Sequence, residues 1–140
     1  EGLGTDTPHA LDFLRRLLKQ HAIIFLISDL QDPRVERPLK LLGQRHDLVV
    51  ASIDDPSETV LPDIGMARFV DPESGETIDV DTSDPVVRAA FAERSTRERD
   101  ARRSMLRRLA IDEIAISTAG GYIEPLLRFF RARERRVARG

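Results

Sequence analysis

The chain has 140 residues, 41% of them hydrophobic, which is the size of one domain with enough apolar side chains to bury a core. A formal net charge of -2 creates no global field for nucleic acid or an anionic membrane, and the lack of cysteine excludes disulfides, Cys-based zinc sites and thiol nucleophiles. The longest apolar run is six residues, far short of the roughly 20 needed to cross a bilayer.

These features predict a cytoplasmic chain with no membrane span and no nucleic-acid partner. No signal peptide is visible. The first residue is Glu1, and "EGLGTDTP" reads like the middle of something longer. The expectation is a single domain over 1–140 that is itself part of a larger one.

In chain order, Thr7 is a good N-cap and Pro8 a good first helical residue, and Leu11, Leu14, Leu17 and Leu18 recur at helical spacing. They predict a helix over about 8 to 20. Ala22 to Ile27 is continuous and apolar, the pattern of a parallel strand covered on both faces. It stops at Ser28 and Asp29. Leu39, Leu42 and Gly43 place a helix near 37 to 45, with Pro38 weakening its start. "DLVVASI" (47 to 53) is a second buried strand.

The alternation of strand, helix and strand predicts an α/β fold with parallel neighbours. Met66 to Val70 and Thr77 to Val80 flank Asp71-Pro72-Glu73-Ser74-Gly75 and predict a β-hairpin inserted at the sheet edge. Asp84-Pro85 starts the longest helix, about 85 to 109, whose centre "ERSTRERDARR" is charged all round and expected in solvent. "IDEIAIS" (111 to 117) reads as a last strand. A final helix follows Gly120-Gly121 and ends in an Arg-rich tail.

Asp29 lies where open α/β sheets bind ligands, at the carboxyl end of a strand. Its type and position fit a metal ligand, a catalytic acid or a turn residue capping the next segment, and spacing alone leaves these open. Asp54 and Asp55 end the next strand, so three carboxylates are candidates for one edge. "GLGTDTP" fails as a dinucleotide loop, because Thr7 stands at the third glycine position and no strand precedes it. A hydroxyl such as that of Thr5, on a loop entering a helix, can reach a metal or an anion. His9, His21 and His46 share no metal-binding spacing and are expected at the surface or its boundary. No G-x-S-x-G elbow supports a serine hydrolase.

Taken together, "GTDTPHALDFL", "IIFLISDL", "RHDLVVASIDDPSETVLPDIG", "DPESGETIDVDT" and "YIEPLLRFFRARERR" resemble the carboxyl-terminal half of the bacterial domain-of-unknown-function 58 family. That family is similar to von Willebrand factor A domains and usually accompanies MoxR-type AAA+ ATPases. The resemblance implies a von Willebrand A-like, Rossmann-like, mostly parallel sheet with flanking helices, present here as a partial domain.

It also implies a metal-ion-dependent adhesion site. "GTDTPHAL" matches that site's threonine element, making Thr5 a candidate ligand, and "FLISDL" matches its aspartate element, making Asp29 the other. The usual glycine after that Asp is Leu30 here, and the Asp-x-Ser-x-Ser element is absent. One hydroxyl and one carboxylate are too few for a hard cation that wants six or more ligands from protein and water. Weak divalent binding or none is therefore expected, with Mg2+ or Mn2+ held only if an upstream half supplies the rest. Without the upstream strand, the strand carrying Ile24 and Leu26 becomes an apolar edge, which implies a homodimer or larger assembly.

Two functions follow. One is a non-catalytic adaptor or substrate-presenting partner of a MoxR-type AAA+ ATPase. The other is a Mg2+-dependent hydrolase or phosphotransferase using Asp29, Asp54 and Asp55. That chemistry needs a nearby cation, and neither lysine of the chain, Lys19 or Lys40, lies at a predicted strand end. Arg34 or Arg45 could substitute, although spacing selects neither. The adaptor is the favoured reading.

Overall fold

The structure, a computed structural model, describes residues 6–70 and 74–138. Helix α1 (Thr7–Leu17) leads into β1 (Ile23–Ser28), then α2 (Glu36–Gly43) and β2 (Asp47–Asp54). A hairpin of β3 (Met66–Val70) and β4 (Thr77–Asp81) precedes the long α3 (Pro85–Arg108), β5 (Asp112–Ser117) and α4 (Ile123–Val137). Strands β1, β2 and β5 form one parallel sheet in the order β1-β2-β5, with Ile24 opposite Leu48 and Val50 opposite Glu113. The fold is α/β with parallel neighbours, as the alternation of strand and helix predicts, and Rossmann-like, as the resemblance implies.

Strand alternation sends β2 side chains to two separate cores. On one face Leu48 and Val50 pack with Leu11 of α1, Leu39 and Leu42 of α2 and Leu106 of α3. On the other, Val49 and Ala51 pack with Ile114 and with Phe129 of α4. Each fully buried Leu in these layers contributes about 1.5 to 3 kcal/mol relative to exposure. The central strand is thus covered on both sides, which explains its unbroken apolar run.

Strand β1 departs from that expectation. It is an edge strand, with Ile24 and Leu26 half-buried but Ile23, Phe25 and Ile27 largely exposed on the far face. An apolar run alone does not distinguish a doubly covered strand from an edge whose second face is bare. Phe25 still meets Phe130 of α4, with ring centroids 6.3 Å apart.

The hairpin forms, but as its own two-stranded sheet and not on the edge of the parallel one. Arg68 and Asp79 face each other across it in a bidentate pair at 2.7 and 2.8 Å. Its turn at 71–73 lies outside the described residues. At its base, fully buried Thr82 donates to the Gly65 carbonyl and accepts from the Ile64 amide.

Two local expectations shift. The α1 cap is Asp6, one residue before Thr7, and its carboxylate accepts from the His9 amide at 3.1 Å. Pro38 sits inside the first turn of α2, where its missing N–H has no helical partner to lose, and is buried. Histidine placement also needs correction: His9 and His21 are exposed, but His46 is only 5% exposed and neither ring nitrogen has a hydrogen-bond partner among the described residues.

Helix α3 ends in a Schellman motif. The Ile111 amide donates to Leu106 O and the Ala110 amide to Arg107 O, with Ala110 in the left-handed region at φ 55°. Leu106 and Ile111 then pack together in the first core.

Candidate functional site

The carboxyl ends of β1, β2 and β5 meet at one edge of the sheet, where Ser28, Asp29, Asp54, Asp55 and Ser117 lie. Asp29 is exposed, and its carboxylate accepts from the Gln31 amide at 3.4 Å. The Ser28 hydroxyl accepts from the Leu30 amide at 3.1 Å. Leu30 adopts φ 53°, the left-handed conformation that glycine favours. Its side chain is buried in the first core, and this burial holds an unfavourable backbone in place.

Arg102 reaches the ends of β1 and β2 and Glu113 near the start of β5. Its Nη2 donates to Asp54 Oδ1 at 2.5 Å and its Nη1 to the Asp29 carbonyl at 3.2 Å. Its Nε lies 3.7 Å from Glu113 Oε1, inside ion-pair range but too far for a hydrogen bond. Glu113 in turn accepts from the Ser52 hydroxyl at 2.6 Å. The Arg102 side chain is only 12% exposed. The centre of α3 is mostly exposed, as its composition suggested, but Ser95, Arg99, Arg102 and Arg103 are partly buried. It is strapped to the sheet by one guanidinium whose planar fork reaches several acceptors at once.

Asp55 plays a different part. Its carboxylate accepts from the Ser57 amide and hydroxyl at 2.9 and 2.7 Å, which caps the short turn Pro56–Glu58. The hydroxyl first, and the amide second, hold its pKa below the usual aspartate value. Between this turn, α3 and the end of β5 lies an open cleft of about 290 Å³, lined among others by Asp54, Asp55, Arg99, Arg103 and Ser117.

Thr5 lies outside the described residues. The described residues hold no group of three or more Asp, Glu or His side chains able to share a metal ion. Asp29, Asp54 and Asp55 reach the same edge but serve a turn, an ion pair and a cap. A divalent cation beside Asp54 would also face the guanidinium already there. The described donor set does not fit a hard cation, which needs converging oxygens.

A parallel sheet flanked by helices, with its polar residues gathered at the carboxyl edge, puts the chain among the Rossmann-like α/β domains. Within that class it belongs to the DUF58 family: the family model described as "Protein of unknown function DUF58" matches residues 1–101. An uncharacterised protein of Mycobacterium avium is 31% identical over 99% of this chain and 82% of its own length. Uncharacterised proteins of Mycobacterium bovis and Mycobacterium tuberculosis are 28% identical over 99% of this chain, which spans 44% of each. No solved structure matches the chain.

Arg99, Arg102, Arg103 and Glu113 escaped the sequence reading. The signal was present: Ser95, Arg99, Arg102, Arg103 and Leu106 follow i, i+4, i+7, i+8, i+11 spacing, one face of a helix. All five are at least partly buried. Polar residues on a packed face are invisible to a search for apolar stripes.

Proposed function

We propose that the chain is a non-catalytic binding module, a von Willebrand A-like partner of a MoxR-type AAA+ ATPase that performs the nucleotide chemistry itself. The supporting observation is the state of the carboxyl edge. Asp54 is paired with Arg102, Asp55 caps its own turn and Asp29 accepts from the Gln31 amide, so each carboxylate of that edge already has a partner within the chain. The edge presents a fixed, charged surface suited to recognition. The family membership supplies the ATPase partner by resemblance only.

In this reading Thr5 and Asp29 are two arms of an adhesion-type metal site, and the Asp-x-Ser-x-Ser arm that such a site also uses is not among these 140 residues. The alternative, a Mg2+-dependent hydrolase on Asp29, Asp54 and Asp55, lacks three free carboxylates at one point. The bare apolar face of β1 is read as a contact surface for a second copy, and its unpaired edge as a place for a further strand. Calorimetric titration of a purified MoxR-type ATPase into the chain tests the proposal. Saturable binding without phosphatase activity is expected, whereas phosphatase activity lost in Asp29→Ala would replace the adaptor reading with the enzyme.

A further inference from the structure

We propose that the cleft between α3 and the ends of β2 and β5 is a carboxylate-binding site, with Arg99 and Arg103 as its two cationic arms. The two residues are one helical turn apart, so their side chains emerge on the same face of α3 and both line the cleft. Both are half-buried.

Other α3 arginines are paired: Arg94 with Glu98, Arg97 with Glu93, Arg102 with Asp54 and Arg108 with Glu36. Arg99 and Arg103 have no ion pair or acceptor among the described residues. A partly desolvated guanidinium without a counterion gains from any anion it can grip, and two adjacent forks suit a planar oxyanion. The Ser117 hydroxyl oxygen accepts from the Ala119 amide at 3.3 Å, which leaves its own O–H to donate into the cleft.

The cleft's acidic walls define the ligand's charge. Asp54 and Asp55 stay in place because Arg102 and Ser57 hold them. With Asp54 neutralised by Arg102, the two arginines face one further fixed negative charge, Asp55, a balance that suits a monoanion such as a carboxylate better than a dianion such as phosphate. The ligand class is therefore a monoanionic carboxylate. On the binding-module reading, from which the ligand's source follows, it is an acidic side chain of a partner polypeptide. A free small carboxylate is the other source.

Side-chain 15N NMR of the full chain tests the site at constant ionic strength, with acetate, a hexaglutamate peptide and inorganic phosphate as probes. Saturable shifts of the Arg99 and Arg103 Nε–H signals with acetate are expected, with tighter binding of the peptide and weaker binding of phosphate. The double variant Arg99→Gln/Arg103→Gln should lose about tenfold or more in affinity, the scale of one or more charged hydrogen bonds. Arg99→Lys/Arg103→Lys, which keeps the charge but not the forks, should fall between. Matching melting curves show that all three fold alike.

Acetate binding without tighter peptide binding supports the site while refuting the polypeptide source. No saturable shift with acetate or peptide, or unchanged affinity in the double variant, overturns the site itself.

Discussion

Arg102 on α3 donates to Asp54 at the end of β2 across 2.5 Å, joining residues 48 positions apart in sequence. The same guanidinium reaches the Asp29 carbonyl and lies within ion-pair range of Glu113. One side chain thereby ties a long charged helix to all three strands of the parallel sheet. Leu106, one turn further on, inserts into the core beneath it.

Arg102→Ala removes the guanidinium partner shared by two partly buried carboxylates, Asp54 and Glu113. Losing one partner of a fully buried pair costs about 3 to 5 kcal/mol, and partial exposure here reduces the expected loss to about 2 kcal/mol. Urea unfolding should show it as a lower midpoint with an unchanged slope. Arg102→Lys should recover only part, because a point charge cannot serve acceptors on separate strands. A midpoint unaffected by either substitution contradicts the strap.

Much of the fold was legible in the sequence, and the failures are specific. The helices and strands fall close to where their periods predicted, since Leu11, Leu39 and Leu42 carry the spacing that packing requires. The bare face of β1 was not legible, because Ile23, Phe25 and Ile27 look alike whether covered or exposed. The carboxylates at the sheet edge were legible as positions but not as partners. Which donor each one finds depends on how α3 crosses the sheet, a tertiary fact that local spacing does not contain.

Two non-glycine residues in the left-handed region make opposite predictions. Ala110 is exposed, so Ala110→Gly removes backbone strain without losing packing and should stabilise by about 1 kcal/mol. Leu30 is buried, so Leu30→Gly recovers a similar strain term but sacrifices a core side chain worth about 2 to 5 kcal/mol. The net effect should be destabilising. Thermal melts of the two variants should therefore move in opposite directions.

His46 carries two buried ring nitrogens without partners among the described residues. Since an unsatisfied buried polar group costs about 1 to 3 kcal/mol, His46→Leu should be neutral or stabilising by up to about 2 kcal/mol. Chemical denaturation decides this, and a large loss of stability would mean that the ring makes a polar contact in solution.

The stability contributed by three lowered aspartates should be lost only below the ordinary carboxylate range. Hydrogen bonds from Ser57 and Ser83 lower the pKa values of Asp55 and Asp81, and Arg68 does the same for Asp79. Groups lowered on folding contribute stability above their unfolded value of 3.8 and lose it as pH falls through the folded value. Stability from these groups should thus be flat from neutral pH to about that value and decline below it. Denaturation midpoints across a pH series measure this, and Asp55→Asn should flatten part of the decline.

The central claim is that the carboxyl edge of the sheet is an ion-paired recognition surface and not a metal-dependent active site. Calorimetric titration of Mg2+ into the chain, with Asp29→Ala as control and a phosphatase assay on the same samples, tests it most directly. The account predicts no stoichiometric Mg2+ binding and no turnover in either protein. Stoichiometric binding accompanied by phosphatase activity, both abolished in Asp29→Ala, would contradict it.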